Sequence, residues 1–122
     1  MSHREEDWAV GLAAAAEADF DRIVEWTSRQ FGTAQAGAYA ETLLATVDAL
    51  LAGPDTIGVR ARNDLGAGVF SLHAARRGRA RHIVVFRCDT GGGRKSVRIL
   101  RILHDAMELR RHLPPDADDE DI

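Results

Sequence analysis

Two runs rich in β-branched residues constrain this chain most: Arg81-His82-Ile83-Val84-Val85-Phe86-Arg87 and Ser96-Val97-Arg98-Ile99-Leu100-Arg101-Ile102-Leu103-His104, separated by the glycine-rich stretch from Asp89 to Gly93. Branched side chains suit a pleated surface, and glycines supply the turn, so the two runs read as adjacent antiparallel strands. Apolar residues occupy both parities of the second run, with Val97, Ile99 and Leu103 on one and Leu100 and Ile102 on the other. That content predicts a strand inside a sheet and covered on both faces, with Ile99 and Leu100 buried on opposite sides.

Upstream, Val69 to His73 reads as a further strand that turns over Arg76-Arg77-Gly78-Arg79 into the first run, which makes a three-strand meander. The preceding residues, 55 to 68, show no sustained period and read as a loop. Before them, Phe20, Ile23, Val24, Thr27 and Phe31 recur at three- and four-residue intervals and predict a helix from about Ala15 to Phe31, ended by Gly32. Thr33 is placed to cap a second helix, whose stripe comprises Ala36, Tyr39, Ala40, Leu43, Val47, Leu50 and Leu51 and which stops at Gly53-Pro54. So short a connection folds the two helices back as an antiparallel hairpin. Trp8 to Ala13 is expected to be an edge strand beside the last strand, and Asp105 to His112 a short C-terminal helix. The fold expected is therefore α+β: an N-terminal strand, a helical hairpin, an antiparallel meander of three strands and a final helix.

At 122 residues the chain makes one domain, expected over 1–113, able to bury roughly two thirds of its unfolded surface without disulfide or metal support. Residues 114–122, opened by Pro114-Pro115 and carrying five acidic groups, read as a disordered acidic tail. Cys88 stands alone and is expected to pack in a strand; with no apolar run long enough for a membrane helix and no leader-like start, the expected setting is the cytoplasm. The net charge of −3 hides a segregation: residues 1–59 carry 3 basic and 10 acidic groups, and residues 60–113 carry 13 and 4. Such blocks make a basic face for an anionic partner, or else arginines that merely solvate strand edges.

Several chemistries are disfavoured. Gly91-Gly92-Gly93-Arg94-Lys95-Ser96 lacks the glycine before the lysine, and a strand follows it where a phosphate-binding loop needs a helix, so no nucleotide cofactor is expected. His3, His73, His82, His104 and His112 lack the close pairings of zinc sites, so no metal is expected. Neither Ser71, Ser96 nor Cys88 sits in a nucleophile motif.

The ending Arg101-Ile102-Leu103-His104, with Met107 and Arg110-Arg111-His112-Leu113 after it, resembles the end of the ParE toxins of type II toxin–antitoxin (plasmid stabilisation) modules, a branch of the RelE-like superfamily. Ala16-Glu17-Ala18-Asp19-Phe20-Asp21-Arg22-Ile23 resembles that family's opening helix. Phe31-Gly32 with Ala36 and Tyr39 resembles its interhelical turn, and Leu51-Ala52-Gly53-Pro54 the stop after its second helix. The likeness covers roughly residues 8 to 113; the long glycine-rich turn and the acidic tail depart from it.

The resemblance implies a non-enzymatic toxin that binds DNA gyrase and is neutralised by a ParD-like antitoxin in a hetero-oligomer, with no direct binding of nucleic acid or membrane expected. Arg98, Arg101, His104, Arg110 and Arg111 are the residues expected on the target-binding surface. For the antitoxin they are Trp26, Tyr39, Arg76, Arg77 and Arg81. Two alternatives stand beside this reading. One is a ribosome-dependent messenger endoribonuclease of RelE type, for which Arg81, Arg87, Arg98, Arg101 and His104 are at hand; the strand arginine of that branch falls at Ile83, however, and His82 is one residue out of step. The other is an inactive relative kept as an interaction module.

Overall fold

A computed structural model describes residues 7–74 and 82–104. Strand β1 (Ala9–Leu12) leads into helix α1 (Ala14–Phe31) and helix α2 (Thr33–Ala49), followed by a 3₁₀ turn over Leu50–Asp55. Then come β2 (Arg60–Ala61), β3 (Val69–His73), β4 (His82–Asp89) and β5 (Ser96–His104). The five strands form one sheet in the order β1-β5-β4-β3-β2. As the sequence predicts, the meander from β3 to β5 is antiparallel and β1 lies at the edge beside β5; the β1–β5 pairing is parallel. The expected turn over 76–79, the C-terminal helix and the acidic tail lie outside the described residues.

Three local features differ from expectation. Gly32, not Thr33, is the N-cap of α2; with φ at 93° it closes α1 and opens α2 at once, and Thr33 is already helical. The stretch read as a loop contains the two-residue β2, too short to show a period, which pairs Arg60 with Ser71 on the outer side of β3.

The third is a bulge. Val85 pairs with Arg101 but Phe86 pairs with Ile99, so Leu100 is the extra residue on β5. One inserted residue reverses the facing of everything after it. Val97, Ile99 and Ile102 therefore join the helix-side core with Leu43, Leu50, Val84 and Phe86, whereas Leu103 joins Leu65, Val69, Ile83 and Val85 on the other face. The expected grouping of Leu103 with Val97 and Ile99 is corrected accordingly. Ile99 and Leu100 are both buried, and β5 is interior, as predicted.

Helix α1 packs on β5 through Ala16, Phe20 and Ile23, and α2 presents Tyr39, Leu43 and Val47 to the same core. Phe70 and Phe86 stack in its middle, centroids 5.6 Å apart. At the β1 end Trp8 lies against Gly53, where a Cβ would meet the indole at 2.4 Å.

Candidate functional site

Helix α1, the start of α2 and the His82/His104 end of the sheet enclose a cleft of about 970 Å³. Its apolar wall comes from α1, whose stripe turns Ile23 and Thr27 inward and leaves Trp26 and Phe31 at the rim. Trp26 is 52% exposed and Phe31 65% exposed, and their rings meet edge to face at 5.9 Å. Large aromatic side chains rarely stay in water in such number without a partner to cover them.

The floor is polar. Tyr39 reaches from α2 to bring its hydroxyl 2.6 Å from His82 Nδ1. His82 and His104 pair across β4 and β5, rings edge to face at 5.4 Å. Tyr39 was expected on the packing stripe of α2; it is half-buried there, and its hydroxyl serves this floor. The bulge is what brings His104 to the helix side, beside His82.

On the α1 side the buried Asp19 carboxylate gathers three side-chain bonds and one backbone bond. Oδ2 accepts from Arg101 Nε at 2.7 Å and from the Ile102 amide at 2.9 Å; Oδ1 accepts from Arg101 Nη2 at 2.9 Å and from Arg22 Nη2. The bond to Asp19 is the main reason that the Arg101 guanidinium holds its proton even more firmly than usual. Buried charges persist when paired and fully hydrogen-bonded in this way.

The residues singled out from sequence are thus divided. Trp26, Tyr39, Arg101 and His104 line the one cleft, but Arg101 is committed to Asp19 and its side chain is only 18% exposed. Arg98 and His104, of equal parity, would share a face in a regular strand; the bulge sends Arg98 to the side away from the helices. Arg76, Arg77, Arg81, Arg110 and Arg111 lie outside the described residues. Sequence reasoning assigned no role to Asp19, although a carboxylate among Ala16, Phe20, Ile23 and Thr27 on an apolar stripe was the available signal.

Among the described residues, no group of three or more His, Cys, Asp or Glu side chains could hold a metal ion, and no helix is long and apolar enough to cross a membrane. Cys88 is half-buried against the core, and burial pushes its thiol up to about 11, which suits packing and not reactivity.

The solved structures this chain resembles include the chromosomal ParDE toxin–antitoxin system of P. aeruginosa, with a TM-score of 0.64 at 21% identity over 82% of this chain and 98% of that one. The RelBE2 toxin–antitoxin complex of Mycobacterium tuberculosis is similar too, with a TM-score of 0.53 at 21% identity over 80% and 98% of the two chains. At such identities the likeness establishes the fold. In sequence, Toxin ParE1 of Caulobacter vibrioides is 32% identical over 104 residues, 84% of this chain and 94% of its own. The model of the ParE toxin of type II toxin–antitoxin systems, parDE, matches residues 10–109. The chain belongs to the ParE toxin family.

Proposed function

We propose that this ParE-family toxin acts in the cytoplasm by binding, without catalysis, that DNA gyrase is its target, and that a ParD-like antitoxin neutralises it by occupying the α1–α2 cleft. The observation that carries the antitoxin site is the exposed Trp26–Phe31 pair at the rim of an otherwise apolar groove floored by His82 and His104. An amphipathic helix laid along α1 would bury both rings, and acidic side chains on it would meet Arg22 and the histidines. The two solved toxins of this fold described above are named as toxin–antitoxin systems, which supports a protein partner of this kind.

His104 lines the cleft, so an antitoxin seated there would cover this residue of the proposed target surface. A binding mode of action fits the side chains better than ribonuclease chemistry does. Arg101, the cation nearest His104 among the described β5 residues, is tied to Asp19, and Arg87 and Arg98 face the other side of the sheet.

Expression of the chain alone tests the reading. It should filament cells and induce a DNA-damage response with messenger RNA intact, and co-expression with a ParD-like partner should abolish both. Arg110→Glu with Arg111→Glu should remove toxicity without unfolding the domain. Ribosome-dependent message cleavage by the purified chain, lost in His104→Ala, would establish the RelE-type activity in its place.

A further inference from the structure

We propose that Arg22, Trp26 and Arg29 form a charged–aromatic–charged row along α1 that selects a partner helix by the spacing of its acids: two carboxylates seven residues apart, with an apolar side chain between them. The inference rests on the antitoxin reading above and adds to it a second cation and a pattern that the partner must carry.

Arg22 and Arg29 are the only basic side chains between Asp7 and Val59, against eight acidic ones. A helical hairpin that is otherwise negative thus offers its positive charge in one place. Positions i, i+4 and i+7 share a helix face, so the two arginines bracket Trp26, and all three side chains are exposed. Tryptophan and arginine are the side chains that most often anchor protein interfaces.

Neither arginine is consumed by its neighbours. Arg22 donates from Nη2 to the buried Asp19 carboxylate, which aims the guanidinium, yet 64% of its side chain stays exposed. A fork fixed at one end loses less freedom when a second carboxylate arrives. Arg29 Nη1 stands 3.9 Å from Glu25 Oε2, beyond hydrogen-bond reach, with both side chains about two thirds exposed. A contact of that kind holds weakly and yields to a better-placed acid.

The spacing follows from helix geometry. Seven residues at 1.5 Å each place the two arginine Cα atoms about 10.5 Å apart along α1. A helix lying along α1 covers the same span in seven residues, whereas an extended segment covers it in about three. An extended segment gains its affinity from backbone bonds to a sheet edge, and the outer face of a helix offers side chains only, so a helix is the occupant that fits.

The test is calorimetric titration of the ParD-like partner into the full chain and its Arg22→Gln and Arg29→Gln variants, combined in double-mutant cycles with Gln replacements of the partner's acidic residues. Each toxin variant should lower affinity about three- to fivefold and weaken its salt dependence. The acids that couple to Arg22 and to Arg29 should lie seven positions apart in the partner. Arg29→Gln should leave the melting curve of the free domain unchanged; Arg22→Gln, which gives up a bond to Asp19, is read against its own melting curve. A complex indifferent to both variants, or coupled acids three positions apart, overturns the row while leaving the antitoxin reading in place. Absence of any complex with the wild-type chain overturns both.

Discussion

The Asp19 carboxylate and the Arg101 guanidinium join helix α1 to strand β5 by two hydrogen bonds, Nε to Oδ2 at 2.7 Å and Nη2 to Oδ1 at 2.9 Å. The need for an acceptor at this place comes from the topology. Strand β1 pairs with β5 only as far as Ile99, where the Ala13 amide makes the last bond to the Ile99 carbonyl. Beyond it the edge of β5 would be bare, and Asp19 takes the Ile102 amide at 2.9 Å. One side chain thus continues the work of a strand that has already turned into a helix.

Removing that carboxylate breaks both of its bonds to Arg101 and takes the acceptor from the Ile102 amide. Asp19→Ala should cost about 3–5 kcal/mol, the range for breaking a buried pair from one side. Arg101→Ala should cost less, because Arg22 and the Ile102 amide still hold Asp19. Denaturant melts of both variants and of the double mutant measure the coupling; additive losses would show that the two groups stabilise the domain independently.

The bulge at Leu100 makes a separate prediction about β5. Ile99 is fully buried among the helices, so Ile99→Ala should lose about 2–5 kcal/mol. Leu100 is buried as well, and Leu100→Ala should fall in the same range. Deleting Leu100 outright would set Arg101 directly beside Ile99, as Val85 stands beside Phe86, so it should keep Ile102 in the helix-side core and Leu103 on the other face and cost about as much as Leu100→Ala. A deletion far more harmful than Leu100→Ala would show that the bulge itself is needed for the strand to pair.

What was legible in the sequence follows from periodicity. The stripes of α1 and α2 repeat over several turns, and β4 and β5 carry enough branched residues to announce themselves, so the elements and their order could be read. The facing of Ile102, Leu103 and His104 could not, because parity counting assumes an unbroken pleat and Leu100 breaks it. Strand β2 has two residues and therefore no period. The site was half legible: Trp26 and Tyr39 stood out as aromatic residues at a stripe's margin and on it, whereas the role of Asp19 depends on a pairing across 82 positions.

Gly53 has φ at +72°, and its Cα faces the Trp8 indole at a distance that admits no Cβ. Gly53→Ala should therefore destabilise through both backbone strain and the clash, by roughly 1–3 kcal/mol from the strain alone. Trp8→Leu in the same chain should relieve the clash but not the strain, so the double variant should recover part of the loss. Full recovery would mean that the backbone conformation costs nothing.

The raised thiol of Cys88 sets a sign for pH dependence. Its value in the fold is about 11 against an ordinary 9, so between these values the folded chain keeps a proton that the unfolded chain has lost. Stability should be unaffected by this group below pH 9 and should fall as pH rises through 9 toward 11. Cys88→Ser should flatten that decline in urea melts, and at pH 8 the native thiol should react with a disulfide reagent far more slowly than the unfolded one. Equal labelling rates in the two states would refute the burial argument.

Trp26 is the sharpest test of the proposed antitoxin site, because its contribution to the free domain and to the complex should differ in kind. Half of its surface is exposed and its ring contact is with Phe31, itself largely exposed, so Trp26→Ala should change the melting free energy little, within about 0.5 kcal/mol. In a complex that buries both rings it would be a central anchor, and truncating such an anchor costs at least about 2 kcal/mol, a fall in affinity of roughly thirtyfold or more. Calorimetric titration of the ParD-like partner into the wild-type and Trp26→Ala chains decides between these. Tyr39→Phe provides the companion measurement, since it keeps the ring and deletes only the hydroxyl that meets His82. Loss of affinity in Trp26→Ala with the fold intact locates the partner in the α1–α2 cleft; unchanged affinity in both variants would place it elsewhere on the toxin.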